Sequence, residues 1–98
     1  MDKLYRIHPR DNVFVVRHPI AAGEGFVVEG RVIHAAAALQ FGHKVAAKAI
    51  GKGERVVKFG IPIGSATKPI EPGDHVHLHN LASDYITTYT LYDSTPAT

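Results

Sequence analysis

The residues most able to do chemistry lie in one short run, Asp74-His75-Val76-His77-Leu78-His79-Asn80. The chain holds seven histidines in 98 residues, and three of them fall within five positions. On a β-strand, alternate side chains share a face, so His75, His77 and His79 are expected on one side and Val76 and Leu78 on the other. Alternate residues lie about 6.6–6.8 Å apart at a rise of about 3.3 Å each, so two such imidazoles can converge on one ion at metal–nitrogen distances of about 2.0–2.1 Å. The outer pair, about 13 Å apart along the backbone, cannot easily share it. A single site would therefore use two of the three plus a ligand from elsewhere. Neutral imidazole suits zinc, iron, nickel or copper. The plainer alternative is an amphipathic strand whose polar face happens to be histidine, with Val76 and Leu78 in the core.

A second candidate is Gly42-His43-Lys44. A histidine and a lysine after a glycine turn offer a proton-transfer group and a cation for a carboxylate or hydroxyl oxygen; the alternative is an ordinary surface turn. His8 and His18 each precede proline and read as loop residues, and His34 as a cap or surface residue. Phe59-Gly60-Ile61-Pro62-Ile63-Gly64 lacks the spacing of a phosphate-binding loop, so no nucleotide site is expected, and its glycines read as points of close backbone crossing. No GxSxG elbow, ordered Ser/His/Asp set or paired-carboxylate context is visible.

The elements that must position these residues are short. Ile20-Ala21-Ala22-Gly23-Glu24, Ile50-Gly51-Lys52-Gly53-Glu54 and Ile70-Glu71-Pro72-Gly73-Asp74 share the form Ile-x-x-Gly-acid. Each is followed by an extended apolar segment, so the form reads as one turn-plus-strand device used three times. Its spacing is irregular, 30 and then 20 residues, which excludes a solenoid. Strands are expected over 12–17, 25–33 with a hairpin turn at Gly30, 55–59 and 75–79. Ala35–Leu39 is the best helical candidate, and Lys44–Ile50 fits either a strand or a short helix. Short strands between Gly and Pro turns indicate a compact all-β fold.

Bulk composition limits the partners. A chain of this length has room for one modest core, here assigned to residues 1–92, with 93–98 expected as a flexible tail. The absence of cysteine excludes disulfides and thiolate chemistry and fits a cytoplasmic protein. A formal charge of +2 with no basic run gives little support for nucleic-acid binding. No stretch approaches the roughly 18 apolar residues of a membrane span, so no membrane partner is expected. The segment Asp84–Tyr92 places three tyrosines late in the chain. They either cover the edge of the core or form a partner surface, a homo-oligomer contact being the option for the isolated chain.

Taken together, four segments resemble the small SAF domain of the altronate and galactarate dehydratases. They are Ile7–Val13, Gly42–Ala46, Val57–Thr67 and Ile70–Leu81, in that order, and the sulfolactate sulfo-lyase small subunit carries similar segments. The resemblance implies an all-β, compact SAF-type β-clip fold with short strands, long turns and at most one or two short helices. It also implies a hydro-lyase acting on sugar acids with a divalent metal, iron(II) or manganese(II). The catalytic body would be a much larger unit, expected here as a separate large catalytic subunit because the sequence stops at Thr98. The motif positions that match are His43, Lys44, His75, His77, His79 and Asn80. On this reading His43 and Lys44 are catalytic candidates, Lys44 and Asn80 substrate contacts, and His75, His77 and His79 metal ligands. The competing expectations are a stand-alone SAF carbohydrate-binding or structural module, and a metal site that serves only an oligomer contact.

Overall fold

The computed structural model describes residues 3–83, and the architecture over that span is all-β. The tyrosine segment 84–92 and the tail 93–98 lie outside the described residues.

Nine short strands are formed: β1 (Leu4–Tyr5), β2 (Val13–Val16), β3 (Gly25–Val28), β4 (Arg31–His34), β5 (Lys44–Ala46), β6 (Arg55–Lys58), β7 (Ile61–Ala66), β8 (His75–Val76) and β9 (Leu81–Ala82). All pairings are antiparallel. A central sheet runs β1-β2-β5-β8, β3-β4 is a separate hairpin, and a third sheet runs β6-β7-β9. The period of two along β2 and β5 divides the interior. Val13 and Ala46 join Ile50, Val56, Ala66, Ile70 and Val76 in one cluster, while Val16 and Val45 join Ile20, Phe26, Val28, Ala35 and Leu39 in another. The central sheet therefore packs the β3-β4 hairpin on one face and the β6-β7-β9 sheet on the other.

The chain builds these two halves the same way. Ile20 bridges Leu39 across the base of the β3-β4 hairpin, and Ile50 bridges Ile70 across the base of β6-β7. Both hairpins close through consecutive residues with positive φ, Glu29-Gly30 (52° and 75°) and Phe59-Gly60 (59° and 73°), the type I′ geometry whose twist matches paired strands. Ile20, Gly23, Glu24 and Gly30 recur as Ile50, Gly53, Glu54 and Gly60, each 30 positions on. Beyond the hairpins the offset becomes 31 (Gly42 to Gly73), and a β-bulge at Val56/Val57 puts the one extra residue on β7. The 30-residue spacing is thus a structural repeat, and the 20-residue interval from Ile50 to Ile70 spans the β6-β7 hairpin, the counterpart of Ile20 to Leu39 around β3-β4.

The Ile-x-x-Gly-acid segments are turns, and the structure shows three further examples that sequence pattern had not grouped with them. In each, the fifth residue's N–H donates to the second residue's carbonyl: Asp11 to His8, Glu24 to Ala21, His43 to Gln40, Glu54 to Gly51, Asp74 to Glu71 and Asn80 to His77, all at 2.9–3.1 Å. In five of the six, the fifth side chain returns the bond by accepting the second residue's N–H, at 2.8–3.0 Å. His43 is the exception, a histidine where the equivalent turn of the second half has Asp74.

Two expectations are corrected here. Ala35–Leu39 is not helical. One and a half turns cannot offset helix nucleation, and the sheet supplies better partners, since Ala35 N–H donates to Glu24 O and Leu39 exchanges both backbone bonds with Ile20. The 75–79 strand stops at Val76, and 77–80 form a turn. Leu78, expected in the core, is 82% exposed. The ambiguous stretch 44–50 contributes β5 and then turns toward Ile50.

Candidate functional site: a four-histidine face

The site forms where β5 and β8 lie side by side. Their register sets His75 opposite Val45 and Val76 opposite Lys44. His43, two residues before Val45, is then a diagonal neighbour of His75 on the same face. Their rings stack with centroids 4.9 Å apart and planes 3° apart. His77 stacks on both, 5.9 Å from His43 and 5.6 Å from His75. His79 lies 5.6 Å from His75 with its ring tilted by 41°. His43 and His75 form a half-buried floor, while His77 and His79 are exposed.

Asn80 is what gathers the run. Its Oδ1 accepts the His77 N–H at 2.9 Å and its Nδ2 donates to the His75 carbonyl at 2.8 Å. Expected as a substrate contact, Asn80 is 3% exposed with both ends of its amide engaged within its own turn, so in this chain it positions the histidines. The histidines therefore meet by curling around Asn80 rather than by strand alternation, and strand periodicity could not reveal that.

The floor has unmet hydrogen-bonding capacity. His43 Nδ1 and His75 Nε2 are buried and without a hydrogen-bond partner among the described residues. Buried polar atoms are nearly always paired, so two orphans in one cluster mark a place where an outside group is expected. Burial, and then the positive potential of His43, His79, His77 and Lys44, lowers the pKa of His75 below the ordinary histidine value. Its neutral form, which can ligate a metal or take up a proton, is thereby favoured.

His43 and Lys44, expected to work together, are divided by the pleat. Lys44 pairs with Val15 and shares a face with Ala46, opposite the face of Val45 and His75. Burial, and then the neighbouring Lys58, pushes its pKa below the ordinary lysine value.

Among the described residues no group of three or more His, Asp or Glu side chains is arranged to hold a metal ion. The stacking supplies the reason. An imidazole lone pair lies in its ring plane, so the parallel rings of His43, His75 and His77 cannot aim at one point. His79 is tilted by 41° to His75 and escapes that restriction. Imidazole is a donor type that suits a divalent transition metal.

Other buried polar residues are structural. Asp11 accepts the N–H groups of His8 and Gly60, and Asn12 exchanges side-chain bonds with Arg55 O and Val57 N–H, which ties the first turn to the β6-β7 hairpin. Burial alone would raise the pKa of Asp11, but hydrogen bonds from the Gly60, Phe59 and His8 backbone outweigh it and lower it. His34 Nδ1 bonds the Gly23 carbonyl, and His8 packs under Gly60.

The described residues thus form an all-β domain that carries a four-histidine face on the β5-β8 side of its central sheet. The matching family model is the altronate/galactarate dehydratase SAF domain, over residues 2–84, and this chain belongs to that family. It is 34% identical over 96 residues to an altronate dehydratase of Bacillus subtilis, covering 98% of this chain and 19% of that protein. It is 40% identical over 75 residues to an altronate dehydratase of Escherichia coli, covering 76% and 15%. A (2R)-sulfolactate sulfo-lyase subunit alpha of Paracoccus pantotrophus is 46% identical over 46 residues, 47% of this chain and 69% of that one. The chain thus spans less than a fifth of the altronate dehydratases it matches.

No helix among the described residues is long and apolar enough to cross a membrane.

Proposed function

We propose that this chain is the small-subunit module of a metal-dependent sugar-acid dehydratase of the altronate/galactarate type. In this reading its histidine face completes the active site of a larger catalytic body. The observation that carries this is the pair of buried, unpartnered imidazole nitrogens, His43 Nδ1 and His75 Nε2, within a four-ring cluster. The match of residues 2–84 to the SAF domain of the altronate/galactarate dehydratases supports the association with that reaction class.

Removing water α,β to a carboxylate needs a base for the α-proton, positive charge near the developing enediolate, and an acid for the departing hydroxyl. Iron(II) or manganese(II), when bound, supplies charge stabilisation at the substrate oxygens. His75 and His79 would hold it, with His77 at the rim. His43 Nδ1 is placed to take up or deliver a proton. Asn80 fixes the rings, and Lys44 contributes positive potential from behind the sheet.

The test is reconstitution with a separately expressed catalytic body of the family, assayed on altronate, galactarate and sulfolactate. His75→Ala and His79→Ala are expected to lower metal content and turnover together. His43→Ala is expected to lower turnover by about 10²–10⁴ with metal retained. Unchanged turnover and metal content in all three variants overturns the proposal.

A further inference from the structure

The two turns that carry the histidines end in bare apolar tips. Phe41, two residues before His43, is 74% exposed, and Leu78, between His77 and His79, is 82% exposed. The stacking of His43 on His77 sets these turns side by side. Single exposed apolar residues are ordinary on a soluble surface. Two on the turns that carry His43 and His77 are a different matter, because they adjoin the candidate site in the chain.

The electrostatics name the complement. The rings nearest His75 are His43, His77 and His79, so the floor between the tips is built of imidazole. A face with apolar edges and a cation-capable floor is matched by apolar sockets around an acidic pocket. Phe41 also borders a concavity of about 530 Å³ with Tyr5, Ile7, His18 and Phe59, so apolar surface continues away from the tip.

We infer that Phe41 and Leu78 are the anchors of a docking face, seating in apolar sockets at the rim of an acidic pocket on the catalytic body. The histidines close over the carboxylates or substrate held in that pocket. This inference rests on the functional reading above and adds the surface through which the partner is held. Large apolar side chains buried at the centre of an interface are the type that dominates binding.

The experiment measures the affinity of the full chain for a separately expressed dehydratase catalytic body of the family, by calorimetry. Phe41→Asp and Leu78→Asp are each expected to weaken binding by roughly 30-fold or more. Leu78→Ser should weaken it without adding a charge. Val27→Ser, at a valine 61% exposed on the β3-β4 hairpin, should bind like the parent. Because all three sites face solvent, circular dichroism is expected to show folded variants. Affinity within threefold of the parent for both Phe41→Asp and Leu78→Asp overturns the inference while leaving the functional reading intact, provided the histidine variants still lose turnover. A parent chain that binds no such body overturns both. A parent that instead self-associates, with self-association lost in Leu78→Asp, makes a second copy the occupant and also overturns the inference.

Discussion

His43, just before β5, and His75, on the antiparallel β8, have ring centroids 4.9 Å apart and planes 3° apart, and each carries a buried nitrogen with no partner among the described residues. Burial, and then the neighbouring His43, His79, His77 and Lys44, hold the His75 pKa below the ordinary histidine value, which favours its neutral form.

A first prediction concerns pH. His75 is held below its ordinary pKa by burial and by its cationic neighbours. The unfolded chain takes up this proton near pH 6.5 and the folded chain only at lower pH. Stability linked to His75 is therefore intact above about pH 6.5 and falls as pH drops from there through the folded value. Proton NMR should place the His75 midpoint below 6.5; a midpoint at or above it contradicts the environment described.

His43 occupies a capping position. Five equivalent turns return a side-chain oxygen to the second residue's N–H, and here that N–H belongs to Gln40. His43→Asp restores the cap, so it should be more stable than His43→Ala by about 0.5–1.5 kcal/mol in urea unfolding. Both should lose turnover in the reconstituted enzyme. Equal stability of the two would mean that the turn does not accept the cap.

Asn80→Ala leaves the His77 N–H and the His75 carbonyl without their partner. The cost is expected at about 1–3 kcal/mol by chemical unfolding. Asn80→Asp should not restore the site, since its second oxygen would face the His75 carbonyl. In both variants the ring contacts of His77 and His79 should be lost, visible as altered histidine chemical shifts.

Asp11 predicts acid sensitivity. Its folded pKa is depressed, so the stability it contributes is present above its unfolded value of about 3.9 and is lost as pH falls through the folded one. Asp11→Ala should remove that acid-dependent component and cost about 1–3 kcal/mol at neutral pH, because the Gly60 and His8 N–H groups lose their acceptor. Acid titration of both proteins by circular dichroism checks this.

Gly64 is needed for room. A Cβ there would lie 2.3 Å from the Ala82 carbonyl oxygen, where β9 crosses β7. Gly64→Ala should therefore cost about 1–3 kcal/mol and detach β9, with faster amide exchange across Leu81–Ala82 as the readout.

Several of these features were legible in the sequence. The Ile-x-x-Gly-acid segments announced turns because glycine alone takes the required φ cheaply, with Gly23, Gly53 and Gly73 at 83°, 85° and 86°. The apolar run 12–17 and the Gly30 hairpin were readable from β-branched content and punctuation. The helix expected at 35–39 failed because alanine's local preference is weak over five residues and the Ile20–Leu39 bridge outweighs it. The turns ending in Asp11, His43 and Asn80 were missed because the first lacks the glycine, the second lacks the acid and the third lacks both.

By itself the sequence determined which groups are present and how often the chain must reverse: clustered histidines, glycines at positive φ, β-branched residues enough for an all-β core. Those properties are local, fixed by side-chain chemistry and backbone sterics. Only the tertiary structure decided which histidines share a face. Pairing of β5 with β8 brings His43, 32 positions away in sequence, against His75. Burial of Asn80 curls His77 and His79 back onto them, and the pleat sends Lys44 to the other side. The face from which this chain began to look functional, 75–79, therefore includes a fourth histidine that no spacing rule joins to it, because strand register is a property of the folded sheet and not of any one segment.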